Sequence, residues 1–148
     1  MLFFVGFIVW TILIQRKSLF KVDYDIVVLG VYYIIVIFGY LIFEIIPINY
    51  RPILIDGFME ASYPSSTTLL VLSVMPTLWF QAKRRMKNEA FLKCVCVFSV
   101  LFSIFMVVGR TVAGVHWLTD IMGSILLSTG LFLLYRAIVI IIDERANA

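Results

Sequence analysis

Apolar residues run along this chain in long blocks, and the polar residues fall between blocks rather than alternating within them. Four blocks, at about 26–46, 64–80, 91–108 and 118–142, are near or above the roughly 17 residues a helix needs to cross a bilayer. A further block, Met1 to Ile14, opens the chain and is short of that length. Strand-like alternation at period two is absent, which argues against a barrel. In hydrocarbon a segment must satisfy its own backbone polar groups, so the blocks predict helices. The expected fold is all-α: a polytopic membrane bundle of five apolar segments, forming a single domain over residues 1–148.

Composition sharpens this. Hydrophobic residues make up 63% of the chain and charged residues 14%, against about 25% charged in an ordinary soluble domain. With a mean hydropathy of +1.07, too little polar surface exists to cover a water-soluble globule. The formal charge is +3, with no basic run interleaved with aromatics, so no nucleic-acid partner is expected. Cys94 and Cys96 have neither disulfide nor zinc spacing and read as packing residues. No metal and no cofactor are expected. The opening block lacks a basic leader and a small-residue cleavage site, and its cations follow the apolar run, unlike a secretion signal. Its shortness is explained if a further helix precedes it.

Charge then sets the expected orientation. Arg16, Lys17, Lys21, Lys83, Arg84, Arg85, Lys87, Lys93, Arg136 and Arg145 all fall on one side when the segments alternate, and that side is predicted to be cytoplasmic. Only Arg51 and Arg110 remain on the opposite, extracytoplasmic face, with the sole histidine, His116. Three stretches meet there: EIIPINYRPILIDG (44–57), YPSSTT (63–68) and GRTVAGVHWLTD (109–120).

Each stretch has an ordinary reading and a chemical one. His116 and Asp120, four apart at the start of a helix, share a face. The carboxylate can take the proton of one ring nitrogen and leave the other free as nucleophile or base; the ordinary reading is a structural ion pair. Arg51 offers a planar fork suited to phosphate oxygens, or simply marks an extended Arg-Pro turn. Pro64 suits a first helical position, and the amides that follow can bind an anion, with the hydroxyls of Ser65, Ser66, Thr67 and Thr68 beside them. The ordinary reading there is a helix cap. Taken together, two arginines, a helix start and a His–Asp pair on one face describe phosphoryl transfer without a metal. Asp56 and Glu60 lie nearby without the spacing of a coordination set.

In this order and between these segments, the three stretches resemble the type 2 phosphatidic acid phosphatase family, related in fold to vanadium haloperoxidases. Its signatures KxxxxxxRP, PSGH and SRxxxxxHxxxD are met here by EIIPINYRP, PSST and GRTVAGVHWLTD. The resemblance implies that His116 attacks phosphorus and forms a phosphohistidine, with Asp120 orienting it. It also implies that Arg51, Arg110 and the Ser65, Ser66 and Thr67 region hold the phosphate. The implied substrate is a lipid phosphate or polyprenyl diphosphate, with membrane lipids as surroundings. The family's usual six-helix core again implies a helix before the first block.

Three departures matter. Glu44 stands in place of the lysine, Gly109 in place of the serine, and Thr67 in place of the histidine that usually protonates the leaving group. A threonine hydroxyl is no acid near neutral pH, and general acid catalysis is worth about 10²- to 10⁴-fold. Diphosphates, whose leaving group needs little protonation, are therefore expected to be favoured over phosphatidate. Glu60 is a candidate substitute acid. The alternative is a catalytically impaired member that binds lipid phosphates or serves as a membrane partner subunit. A transporter fits less well if the polar residues gather at one surface instead of lining a path.

Overall fold

The computed structural model describes residues 23–54 and 57–147. Among them lie four helices: α1 (Tyr24–Ile45), α2 (Ser66–Arg85), α3 (Glu89–Val112) and α4 (Leu118–Asn147). An isolated antiparallel bridge pairs Tyr50 with Ala61. The opening block and Asp56 lie outside the described residues, so four of the five expected segments are accounted for.

Three of these helices, α1, α3 and α4, are long and apolar enough to cross a membrane. At 1.5 Å per residue the 22 residues of α1 span about 33 Å, close to the roughly 30 Å of a hydrocarbon core. The fourth, α2, covers the 64–80 block from Ser66 to Arg85; it carries Ser73, Thr77, Gln81 and three terminal cations and is less apolar than the other three. Its polarity is tolerated because α2 packs against all three others.

The interior shows what surrounds the protein. The buried residues of α2 are Thr68, Leu69, Ser73, Thr77 and Gln81, mostly one helical turn apart. They meet Tyr32 and Tyr33 of α1 and Tyr135 of α4. Tyr32 donates to the Ser73 carbonyl at 3.4 Å, Thr77 pairs with Tyr33, and Gln81 donates to the Tyr135 hydroxyl. The Tyr32 ring lies 5.2 Å from that of Tyr135 and 5.1 Å from that of Tyr33. Meanwhile Ile34, Phe38, Leu101, Phe105 and Leu126 face outward, each more than half exposed. Small polar groups inside and large apolar ones outside is the arrangement lipid selects, because Leu or Phe gains nothing by leaving hydrocarbon while hydroxyls gain partners. The polar residues are thus not confined to one surface. Ser65, Thr68, Ser73, Thr77, Gln81, Ser124 and Ser128 form a buried column along the bundle; all but the Ser73 hydroxyl bond to neighbouring side chains or carbonyls, with Thr77, Gln81 and Ser124 doing so between elements.

At one end the column meets an ionic cluster. Asp25, 3% exposed, accepts from Arg84 Nε at 3.2 Å and from Arg85 Nη1 and Nη2 at 3.0 and 2.9 Å. Arg84 also forks onto Asp143 of α4. The start of α1 and the ends of α2 and α4 are therefore tied together. The opposite end holds the end of α1, the start of α2, the end of α3 and the start of α4.

Candidate functional site

The connector from α1 to α2 folds back on itself. Arg51 N–H donates to the Glu60 carbonyl at 3.1 Å and Ser62 N–H to the Asn49 carbonyl at 2.8 Å, flanking the Tyr50–Ala61 bridge. Gly57, with φ +82°, lies in the returning segment, where a side chain would be strained. This pairing brings Asn49 and Arg51 beside Ser62, and the Trp117 indole N–H, donating to the Tyr50 carbonyl at 2.8 Å, fastens the pair to the start of α4.

Between α3 and α4 the turn is short. Gly114 takes φ +65° just after the Ala113 cap, the left-handed position that ends a helix most readily with glycine. The chain therefore reverses within a few residues, leaving Arg110 on the last turn of α3 and His116 just before α4.

Asp120 is the third residue of α4. Its Oδ2 accepts from the Trp117 backbone N–H at 3.0 Å, half of a capping box. The same oxygen accepts from the Ser62 hydroxyl, and Oδ1 accepts from Asn49 Nδ2 at 3.3 Å. The carboxylate is 1% exposed, and these three donors are what make its burial tolerable.

The expected direct bond from His116 to Asp120 is not made: Nδ1 and Oδ2 lie 4.0 Å apart. Nδ1 instead contacts the Ser62 carbonyl at 2.9 Å and the Ser62 hydroxyl at 3.2 Å. A carbonyl only accepts, so Nδ1 carries the proton and Nε2 holds the free lone pair. The proton location thus comes from the connector. Burial, then the positive charge of Arg51, hold His116 below the ordinary histidine pKa; Arg110 adds to this, while the Ser62 carbonyl and Asp120 oppose it.

Three buried nitrogens here have no hydrogen-bond partner: His116 Nε2, Arg51 Nε and Arg110 Nε. Arg51 Nε is 3.2 Å from Glu60 Oε2, an ion pair by distance but without hydrogen-bond alignment. Buried polar atoms are nearly always satisfied, and such exceptions need a reason.

At the start of α2 the structure differs from expectation in two respects. Pro64 is not at the first helical position: it follows a cis Tyr63–Pro64 bond, Ser65 is the cap residue, and the helix starts at Ser66. The Ser65 amide is turned to the Asp120 carbonyl at 3.5 Å, so it is not one of the free donors. The Ser65 side chain makes no capping bond and pairs with Thr68 at 3.1 Å. The amides of Ser66 and Thr67 remain at the helix end, where no intrahelical acceptor exists. Thr67 is half-buried.

The arrangement thus brings Arg51, Arg110, His116, Asp120 and the start of α2 to one end of the bundle. Sequence reasoning missed Ser62 and Asn49. Nothing in their spacing announces them, although a buried carboxylate requires donors from somewhere. The PAP2 superfamily matches residues 28–140 of the chain. This protein belongs to the PAP2 superfamily. Its helices α1, α3 and α4, long and apolar enough to cross a membrane, fit a phosphatase-type member that works on phosphorylated lipids in a bilayer. No curated protein and no solved structure matches the chain.

Proposed function

We propose that this PAP2 superfamily protein hydrolyses a lipid phosphate or polyprenyl diphosphate through a phosphohistidine on His116, at the extracytoplasmic face. The observation that carries this reading is the trio of buried nitrogens without a hydrogen-bond partner, His116 Nε2, Arg51 Nε and Arg110 Nε. A tetrahedral phosphoryl group accepts hydrogen bonds from both guanidiniums and offers phosphorus to Nε2. The Nε2 lone pair forms the N–P bond as the P–O bond to the leaving group breaks, and the electron pair leaves with that oxygen. The proton stays on Nδ1, facing the Ser62 carbonyl. Water then attacks phosphorus and the N–P pair returns to Nε2. The amides of Ser66 and Thr67 add donors from the helix end. The extracytoplasmic assignment is supported by the positive-inside rule: with alternating segments, ten of the twelve cations are expected on the side opposite His116.

The test is direct. Detergent-purified protein given a prenyl diphosphate should release phosphate and accumulate an acid-labile, base-stable phosphoenzyme, with both lost in His116→Ala. Equal phosphate release from wild type and variant removes the enzymatic reading.

A second reading, a member that binds lipid phosphate without turnover, is favoured by one feature: Thr67 and Glu44 stand where an acid and a cation are expected. In that case vanadate binds, Arg110→Ala weakens the binding, and no phosphoenzyme forms.

A further inference from the structure

The separation of His116 from Asp120 has chemical consequences. As phosphorus bonds to Nε2 the imidazole becomes cationic, and the charge must be met on the Nδ1 side. Asp120 cannot meet it by a direct bond at 4.0 Å. Ser62 occupies the space between them. Its hydroxyl donates to Asp120 Oδ2 and lies 3.2 Å from Nδ1, while its carbonyl accepts from Nδ1 at 2.9 Å. Since the hydroxyl proton points to the carboxylate, the oxygen lone pairs point to the Nδ1–H. Both bonds therefore run the same way, from ring to hydroxyl to carboxylate, and each polarises the other. Ser62 itself is 1% exposed, so water does not compete for these bonds.

We propose that Ser62 is a positioning residue that relays the charge of Asp120 to His116 through its hydroxyl, making the ordering His116–Ser62–Asp120 the working unit. This rests on the phosphohistidine reading and deepens it. Asp120 has a second task, holding the Trp117 N–H at the start of α4. An asparagine at 120 keeps an oxygen for that bond and removes the charge, so Asp120→Asn separates the two tasks. Ser62→Ala removes the hydroxyl and leaves the carbonyl. It therefore keeps the Nδ1 proton in place while cutting the link to the carboxylate.

The experiment is a double-mutant cycle with two readouts. Ser62→Ala is expected to lower kcat on the order of 10- to 100-fold with KM little changed, the scale of one charge-assisted hydrogen bond. Asp120→Asn is expected to matter far less in the Ser62→Ala background than in wild type. Ser62→Thr, which restores a hydroxyl, should recover most of kcat. The second readout needs no turnover: the chain has a single histidine, so its Nδ1–H proton resonance is unambiguous by NMR. That resonance should move in Ser62→Ala and in Asp120→Asn, and the double variant should resemble Ser62→Ala. Additive effects of the two substitutions on kcat and on the resonance overturn the relay. If Ser62→Ala does not fold, Ser62→Cys serves, because a thiol is a poor donor and acceptor; wild-type coupling in that variant overturns the relay equally. A wild type without phosphoenzyme would sink the phosphatase reading alone, and the resonance cycle would still decide Ser62.

Discussion

The Arg51 guanidinium meets the Glu60 carboxylate across the folded-back connector, Nε to Oε2 at 3.2 Å, with the carboxylate 44% exposed and the arginine 16% exposed. A proposed phosphate arginine is thus held in place by an internal anion that the substrate displaces or shares. Glu60→Gln removes that competition. Because the pair is partly exposed and worth about 1 kcal/mol or less, KM for a lipid phosphate should fall by no more than about five-fold, with kcat unchanged. A collapse of kcat in the same assay would instead mark Glu60 as the proton donor that Thr67 cannot be.

The state of His116 gives a second prediction. Burial first, then Arg51, lower its pKa below the ordinary value, with Arg110 adding and Asp120 opposing. The neutral, nucleophilic ring should therefore persist below about pH 6.5, the unperturbed midpoint. An NMR titration of the single histidine should place the midpoint under that value, and Arg51→Gln should move it up. The sign for stability follows. Below about pH 6.5 the unfolded chain binds this proton more readily than the folded one. Stability contributed by this group is thus full above that pH and declines as pH falls through the window between the unfolded and folded midpoints. A midpoint above 6.5 in wild type would remove the electrostatic account of the site.

How much of this was readable follows from how local each feature is. Arg110, His116 and Asp120 lie within eleven residues spanning one turn between two helices, so their spacing alone brings them together. Ser62 and Asn49 reach Asp120 from 58 and 71 positions away through the Tyr50–Ala61 pairing. That pairing rests on two backbone bonds around a turn and leaves no periodic signal. The apolar blocks gave the helices but not the special place of α2. Thr68 was legible only as part of the hydroxyl run at the helix start, and Ser73 and Thr77 carry no signal within an apolar segment, yet all three line its buried face where α2 packs against the other three helices.

The third prediction concerns Gly123, on the second turn of α4. A Cβ there would stand 2.7 Å from the Tyr63 hydroxyl and 2.8 Å from Cζ, and closer still to the ring edge. Tyr63 cannot simply swing away, since its ring also meets that of Phe43 edge-on at 5.1 Å. Gly123→Ala must shift Tyr63, and with it the adjoining Ser62 and Pro64. Overpacking of this kind costs about 1–3 kcal/mol. A thermal unfolding assay in detergent should show the loss, and phosphate release per folded molecule should fall as well. Pairing with Tyr63→Ala should restore stability; if it does not, the clash is not the cause.

The fourth prediction addresses the far end of the bundle. Asp25 answers both Arg84 and Arg85 from a site 3% exposed. Asp25→Asn leaves two guanidiniums facing a neutral amide, and breaking one side of a buried pair typically costs about 3–5 kcal/mol. Arg84 keeps Asp143 as a partner, so the loss should sit toward the lower figure. Unfolding midpoints should drop while kcat per folded molecule stays constant, because the cluster and His116 lie at opposite ends of the helices. A kcat change at unaltered stability would show that the two ends communicate.

The last prediction turns on Thr67 and Glu44. Thr67 is half-buried on the first turn of α2, at the same end as His116. Thr67→His places a titratable nitrogen where the leaving oxygen is expected. For phosphatidate, whose alkoxide leaving group needs a proton, the gain should approach the about 10²- to 10⁴-fold range of general acid catalysis. For a prenyl diphosphate, which leaves as a phosphate monoester, it should be small. Glu44→Lys replaces an anion by a cation in the last turn of α1, at the end of the bundle that holds the phosphate arginines, so it should act on KM for both substrates. Measured together, the two substitutions separate an intact but disarmed site from one that has lost its geometry. A large gain for phosphatidate alone in Thr67→His supports the first, while no gain for either substrate, with vanadate still bound, leaves a lipid-phosphate binder.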